Sequence, residues 1–355
     1  MKRLLAVLLA TVLSLGTLAS CGVPALKETD KAETEEKTSV KNEQKTTEEQ
    51  KTEEVKSTEE EKKTEEEKPV ETPTNPTHPL NGKKVIFVGN SYTYYGNCVL
   101  TKNVSVRQQS QRTGDKGYFY QLCKSEGAEV AVTNWTFGSH GLADLFINCG
   151  ADRGCNGVKH KNDLKDANYD YVFLQERTGE EITPEKLLEN VDAAVSFFRA
   201  ANPDVKIFFF VQHRVYEWNV QWYPAVQKLA DRGVTVIEWG KLVNDVITGK
   251  TAVPGATQTY DKNSFVINQS ADDGYHPNPL SGYVTAAMAY CAITGESAVG
   301  LEYKFATDAK VLSAFNPSTY IARYYKHNGG KTNFVNIFGS EQDMRGLQTL
   351  MDQYR

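Results

Sequence analysis

Beyond residue 80 the chain carries five short apolar runs: residues 83–89 (KKVIFVG), 129–135 (EVAVTNW), 169–175 (YDYVFLQ), 205–212 (VKIFFFVQ) and 234–239 (VTVIEW). Several are nearly continuous rather than alternating, which is the pattern of strands buried on both faces of a parallel sheet. Helical spacing fills the gaps. Residues 184–201 place Leu187, Leu188, Val191, Ala194, Val195, Phe197 and Phe198 on one stripe. Shorter helical patterns occupy 117–125 and 222–232, the latter closed by Gly233, and 279–294 forms another, followed by Gly295. This strand–helix alternation predicts an α/β fold, a doubly wound sheet of about five parallel strands with helices on both faces. Residues 100–115 read as a polar insertion between the first strand and its helix.

In open sheets of this kind, ligands bind beyond the carboxyl ends of the strands. The first run ends in Gly89-Asn90-Ser91, the second in TFGSHGLADL with Gly138 and Gly141, and the third in Gln175-Glu176. Asp273-Gly274-Tyr275-His276 immediately precedes the long helix at 279. A serine hydroxyl attacks only when a nearby base takes its proton, and histidine does so near neutral pH. A carboxylate on the other ring nitrogen holds the tautomer and stabilises the imidazolium. Asp273 and His276, three residues apart on one loop, suit those two roles toward Ser91. His140 and His213 read as loop histidines with local hydrogen bonds, and Glu176 with Arg177 as an ion pair at the rim. Tyr92, Tyr94, Tyr95, Trp135, Trp218, Trp222 and Tyr275 fall in rim segments; several read as ordinary packing, and two or three exposed rings among them would offer sugars a stacking surface.

Together these blocks resemble the SGNH (GDSL-like) hydrolase superfamily, in its GNS-bearing branch, over residues 83–295. The resemblance implies a flavodoxin-like sheet with Ser91 as nucleophile, His276 as base and Asp273 as its orienting carboxylate. It also implies an oxyanion hole from the Ser91 N–H, a glycine N–H (Gly141, with Gly138 as the alternative) and a side-chain amide from the third block. Two positions depart from the family pattern: Gln175 stands where an Asn is usual, and Asn90 where an Asp is usual. The function implied is a serine esterase that removes small acyl groups, acetyl above all, from carbohydrate through an acyl-enzyme, with no metal or cofactor. A non-catalytic carbohydrate-binding protein on the same fold and a sugar O-acyltransferase are the alternatives.

The N-terminus adds a location. Lys2 and Arg3 precede an apolar stretch at 4–18 that is too short to span a bilayer, which is the layout of a secretory signal. Leu18-Ala19-Ser20-Cys21 resembles the lipobox of bacterial lipoproteins, implying removal of residues 1–20 and lipidation of Cys21, which would hold the protein at the outer side of the cell membrane. Residues 21–80 are rich in Lys, Glu and Thr and cannot bury enough apolar surface to order themselves. They read as a disordered tether, reaching at most about 200 Å extended and roughly 45 Å as a coil. Residues 81–355 form the globular domain, with 296–355 as a C-terminal extension that covers one sheet edge.

Residues 22–80 hold ten Lys against seventeen Asp and Glu, a net of −7; with Lys2 and Arg3 adding +2, the whole net charge of −5 is accounted for before residue 81. A neutral domain without a basic run argues against nucleic acid as a partner. Apart from Cys21, five cysteines remain. Cys149 and Cys155 are close enough in sequence to staple a small loop, and the odd number leaves at least one thiol without a partner in the chain. No CxxC pair with histidine partners appears, which argues against a structural zinc site.

Overall fold

A computed structural model describes residues 75–99, 112–113, 117–148, 164, 168–266, 275–307 and 337–355. All of them belong to the compact unit Lys68–Arg355. The signal segment, Cys21 and most of the tether lie outside the described residues, as do Cys149, Cys155 and Asp273.

Five strands are parallel: β1 (Lys84–Gly89), β3 (Ala131–Thr136), β4 (Tyr171–Gln175), β5 (Lys206–Phe210) and β6 (Val234–Ile237). A sixth, β2 (Arg112–Thr113), pairs antiparallel with β3 inside the polar insertion. Two residues are too few for any period to show in the sequence. The order across the sheet is β2-β3-β1-β4-β5-β6. Counting only the parallel strands, this is the flavodoxin-like order, and the chain reverses its direction of travel at β1. The doubly wound architecture is therefore the one the apolar runs predict.

Alternate residues of each strand feed two cores. Phe87, Phe173, Phe208 and Phe210 face helices Tyr118–Ser125, Trp239–Ile247, Pro279–Thr294 and Glu341–Gln353. Phe87 stacks on Phe173 at 4.7 Å and Phe173 on Phe208 at 4.8 Å, an aromatic row across three strands. Ile86, Val88, Val172, Leu174 and Phe209 face the opposite layer, which contains Leu142–Phe146, Pro184–Ala201 and the 3₁₀ segment Tyr223–Arg232.

Helix ends follow their capping chemistry. Thr183 accepts from the Lys186 N–H at 3.2 Å with Pro184 at the first helical position. Gly233 and Gly295 close their segments with φ of 64° and 77°. One expectation needs correction. The last run ends at Ile237, because Trp239 begins a helix whose Gly240 N–H donates to the Val211 carbonyl at 2.9 Å. The C-terminal helix Glu341–Gln353 lies on one face of the sheet, and Tyr354 and Arg355 after it share a cleft with Val234, Thr235 and Val236 of the edge strand β6. The helix packs Met344, Leu347, Leu350 and Met351 into the first core, and Gln348 donates to the Tyr283 hydroxyl at 2.8 Å.

Cys98, Cys123 and Cys291 are buried and unpaired. Burial pushes their thiols up, Cys291 to about 12, so they behave as apolar filler rather than nucleophiles.

Candidate active site

β1 hands the chain to a single helical turn, Ser91–Tyr94, through Asn90. Asn90 Oδ1 accepts from the Tyr92 N–H at 3.2 Å, and its Nδ2 donates to the His140 carbonyl at 2.9 Å. One side chain thus caps the turn and ties it to the loop after β3. An aspartate here would cap equally well but would set a carboxylate oxygen against that carbonyl, which is a physical reason for the asparagine.

Ser91 stands first in the turn, where an N–H has no acceptor within the helix. Its hydroxyl lies 2.8 Å from His276 Nε2, across 185 positions of sequence. Both residues are almost buried. The His276 ring is packed by Tyr95 edge-on at 4.2 Å and by Tyr275 at 4.5 Å, with Tyr92 at 5.4 Å. Such walls hold the imidazole in one orientation and exclude water from one side of it.

The His276 loop is anchored from both directions. Val266 and Pro277 form a β-bridge, and Asn278 donates to the Ser264 carbonyl at 2.8 Å while capping the helix Pro279–Thr294 through the Ser281 N–H. That helix then meets the end of the Ser91 turn backbone to backbone. A Cβ on Gly282 would sit 1.7 Å from the Gly96 carbonyl oxygen, and one on Gly96 would sit 2.3 Å from the Asn278 carbonyl oxygen. Gly96 also needs its φ of +78°. Two glycines therefore set the distance between Ser91 and His276.

The expected oxyanion donors are arranged differently from the family pattern. The Gln175 side chain is buried and turned inward. Its oxygen accepts from the Asn90 N–H and the Thr93 hydroxyl, each at 3.1 Å, and its amide donates to the Glu176 carbonyl. Gln175 thus braces the Ser91 turn instead of offering its amide to a substrate. Its fit also requires Gly89, whose Cβ would meet Gln175 at 2.9 Å. The Gly141 N–H donates to Asp144 Oδ2 at 2.9 Å at the start of helix Leu142–Phe146. Gly138 accepts from His140 Nδ1 through its carbonyl at 2.7 Å.

Glu176 and Arg177 meet through the Arg177 backbone rather than as an ion pair. Arg177 pairs with Glu181, while Glu176 is buried beneath the Gly141 loop. Glu176 Oε1 accepts from the Leu142 N–H at 3.1 Å and the Arg177 N–H at 2.8 Å, and Oε2 accepts from Asn190 Nδ2 at 3.0 Å. A Cβ on Gly141 would lie 2.4 Å from Oε1. One carboxyl thus joins the β4 rim, the Gly141 loop and helix Pro184–Ala201. Sequence reasoning missed this role. The available signal was an acidic residue directly after an apolar strand.

Burial pushes the Glu176 pKa up to about 7, with the three donors opposing the shift. Asn190 Oδ1 has no partner, so a flipped amide would accept a proton from a neutral Glu176. A carboxyl raised in the folded state binds more protons there than in the unfolded chain, so its contribution falls as pH rises from about 4.5 through about 7. Glu176→Gln removes that dependence. Its stability relative to the parent is expected to improve between pH 5 and pH 8, by on the order of 1–3 kcal/mol. Urea unfolding of both proteins at the two pH values checks this, and a difference that does not change with pH would contradict it.

His140 makes the local bond expected of it. His213 does not: it is fully buried beside Tyr92 and Trp239, where the Tyr275 backbone is the one polar group that meets its ring among the described residues. Burial holds its pKa down at about 3, so the ring stays neutral. Among the described residues no group of three or more His, Cys, Asp or Glu is arranged to hold a metal ion.

No family model matches the chain, and no curated protein matches it in sequence. Solved structures do. An acetylxylan esterase from Geobacillus stearothermophilus is 16% identical over 61% of this chain and 95% of its own, with a TM-score of 0.38. A DUF4886 family protein from Bacteroides uniformis is 16% identical over 71% of this chain and 97% of its own, with a TM-score of 0.42.

Proposed function

We propose that the protein is a serine esterase that hydrolyses small acyl esters, acetyl esters of carbohydrate in the first place, through an acyl-enzyme. The observation that carries this reading is the 2.8 Å contact between Ser91 Oγ and His276 Nε2 at the rim of β1, where the sheet order reverses. Ser91 Oγ attacks the ester carbonyl while His276 Nε2 takes its proton. The tetrahedral intermediate collapses, the sugar oxygen leaves with that proton, and the acyl group remains on Ser91. Water, deprotonated by His276, then releases the acid and restores the serine. Asp273, three residues before the base, is assigned to orient it.

The Ser91 N–H is the first oxyanion donor. The Gly141 N–H becomes the second when it exchanges Asp144 for the developing oxyanion. Each such donor is typically worth about 100- to 1,000-fold in turnover. Release of p-nitrophenol from p-nitrophenyl acetate by the purified protein tests the reading, and a protein that shows none at any pH between 6 and 9 contradicts it.

The N-terminal pattern supports an extracytoplasmic location, with Cys21 lipidated and residues 22–80 as a spacer. A single acyl chain binds a membrane only reversibly, and more than one makes the anchor stable. Cys21→Ser is therefore expected to move the protein from the membrane fraction to the soluble fraction of cells expressing it. Retention of the variant in the membrane fraction would contradict lipid anchoring.

A further inference from the structure

Acyl transfer to Ser91 leaves unused an aromatic group that stands beside the site. Trp218 follows the short helix Arg214–Glu217 at the carboxyl end of β5 and is 50% exposed, the most exposed large apolar side chain among the described residues. One of its faces is covered. The Arg214 guanidinium carbon lies 3.5 Å from the centre of the Trp218 ring and 4.9 Å from that of Tyr275. Arg214 is itself nearly buried, held by Glu217 Oε2 at 2.8 Å, and Lys262 takes the other oxygen of Glu217.

Tyr275 connects this stack to the base. Its ring lies 6.5 Å from Trp218 and 4.5 Å from His276. Trp218 also lines an open cleft of about 740 Å³, together with Thr178, Glu180, Asn219 and Gln221. Thr178 and Glu180 belong to the rim after β4, so the cleft opens on the same side of the sheet as Ser91. Its size falls in the range of small-ligand sites.

The chemistry of the cleft selects its occupant. An acyl chain would require continuous apolar walls, whereas here the apolar indole and Val220 alternate with the hydroxyl, amide and carboxylate groups of Thr178, Asn219, Gln221 and Glu180. An anion would face Glu180, and the Arg214 guanidinium is nearly buried under the indole and already bonded to Glu217. A pyranose ring fits: its C–H face is apolar enough to lie on the indole, and its edge hydroxyls reach polar side chains. The indole is also pre-ordered by the cation beneath it, so stacking costs little further entropy.

We propose that Trp218, backed by Arg214 and Tyr275, is the stacking platform of a subsite that holds a neutral sugar ring of the substrate beside Ser91. This deepens the esterase reading and rests on it. Binding energy gained there from the non-reacting part of a glycan would be spent on positioning the ester, so it favours glycosyl over simple esters.

Two measurements separate the subsite from the esterase reading. The first compares kcat/KM for cellobiose octaacetate with kcat/KM for p-nitrophenyl acetate in the parent, Trp218→Ala and Trp218→Phe. The ratio is expected to fall about 10-fold or more in Trp218→Ala and to recover largely in Trp218→Phe. A ratio unchanged by Trp218→Ala overturns the subsite even if both rates fall together. The second is a tryptophan fluorescence titration with cellotriose or xylotriose. A saturable change that Trp218→Ala abolishes supports the platform, and no change up to about 10 mM sugar overturns it. A protein that binds the trisaccharide through Trp218 but cleaves neither ester keeps the subsite and loses the esterase. A protein that cleaves p-nitrophenyl acetate but binds no sugar has the reverse outcome.

Discussion

Ser91→Ala is expected to lower kcat/KM for p-nitrophenyl acetate by about 10⁴- to 10⁶-fold, the loss that follows when a nucleophile is removed from a serine–histidine pair. The expectation comes from geometry. Ser91 Oγ and His276 Nε2 are already at 2.8 Å, so the proton acceptor is in place before substrate arrives. His276→Ala should cost a comparable factor, and the double variant should be no worse than either single one, because the two groups act as a unit. Each variant should keep its cooperative thermal transition, since neither side chain belongs to the two apolar cores. Steady-state kinetics with the three variants checks all of this. Losses that multiply in the double variant would mean that the two residues act independently.

Gly282→Ala is expected to have the largest effect on stability. On an exposed helix, Gly→Ala stabilises by about 1 kcal/mol through propensity alone. At Gly282 the added methyl would meet the Gly96 carbonyl oxygen at 1.7 Å, and that atom is backbone and has no rotamer to escape into. Overpacking of this kind costs typically about 1–3 kcal/mol and sometimes more, so the clash outweighs the propensity gain. A fall in Tm of roughly 4–8 °C would follow from a net loss of about 2 kcal/mol. Whatever folds must move helix Pro279–Thr294 away from the Ser91 turn, carrying the His276 loop with it. Because a displacement of about 1 Å can cost 100-fold in rate, activity should fall even well below the new Tm. Differential scanning calorimetry and p-nitrophenyl acetate kinetics on Gly282→Ala check both effects. Parental Tm and kcat would show that the two backbones do not touch.

Most of the layering was legible because it depends on local signals. Residues 184–201 and 279–294 emerge as helices over those spans, since Thr183 and Asn278 cap their starts and Pro184 and Pro279 occupy their first positions. The strands were legible from near-continuous apolar runs, as expected when both faces of a sheet are covered. Ser91 and His276 could be paired in advance because each sits at a rim that the topology brings together.

What escaped depends on contacts between segments. Gln175 invites reading as a donor, yet its longer arm folds under the Ser91 turn against Gly89, a contact that no spacing announces. Glu176 has the composition of a surface residue. Three donors from three different elements make its burial tolerable. Gly282 looks like an ordinary weak position in a helix until Gly96 is placed against it.

The central claim is that Ser91 is a nucleophile activated by His276. The purified protein can be incubated with a fluorophosphonate probe and the adduct located by peptide mass spectrometry. The account predicts one adduct per chain, on Ser91, absent from Ser91→Ala and strongly slowed in His276→Ala. A protein that stays unlabelled, or that carries the probe on a different serine, would contradict it.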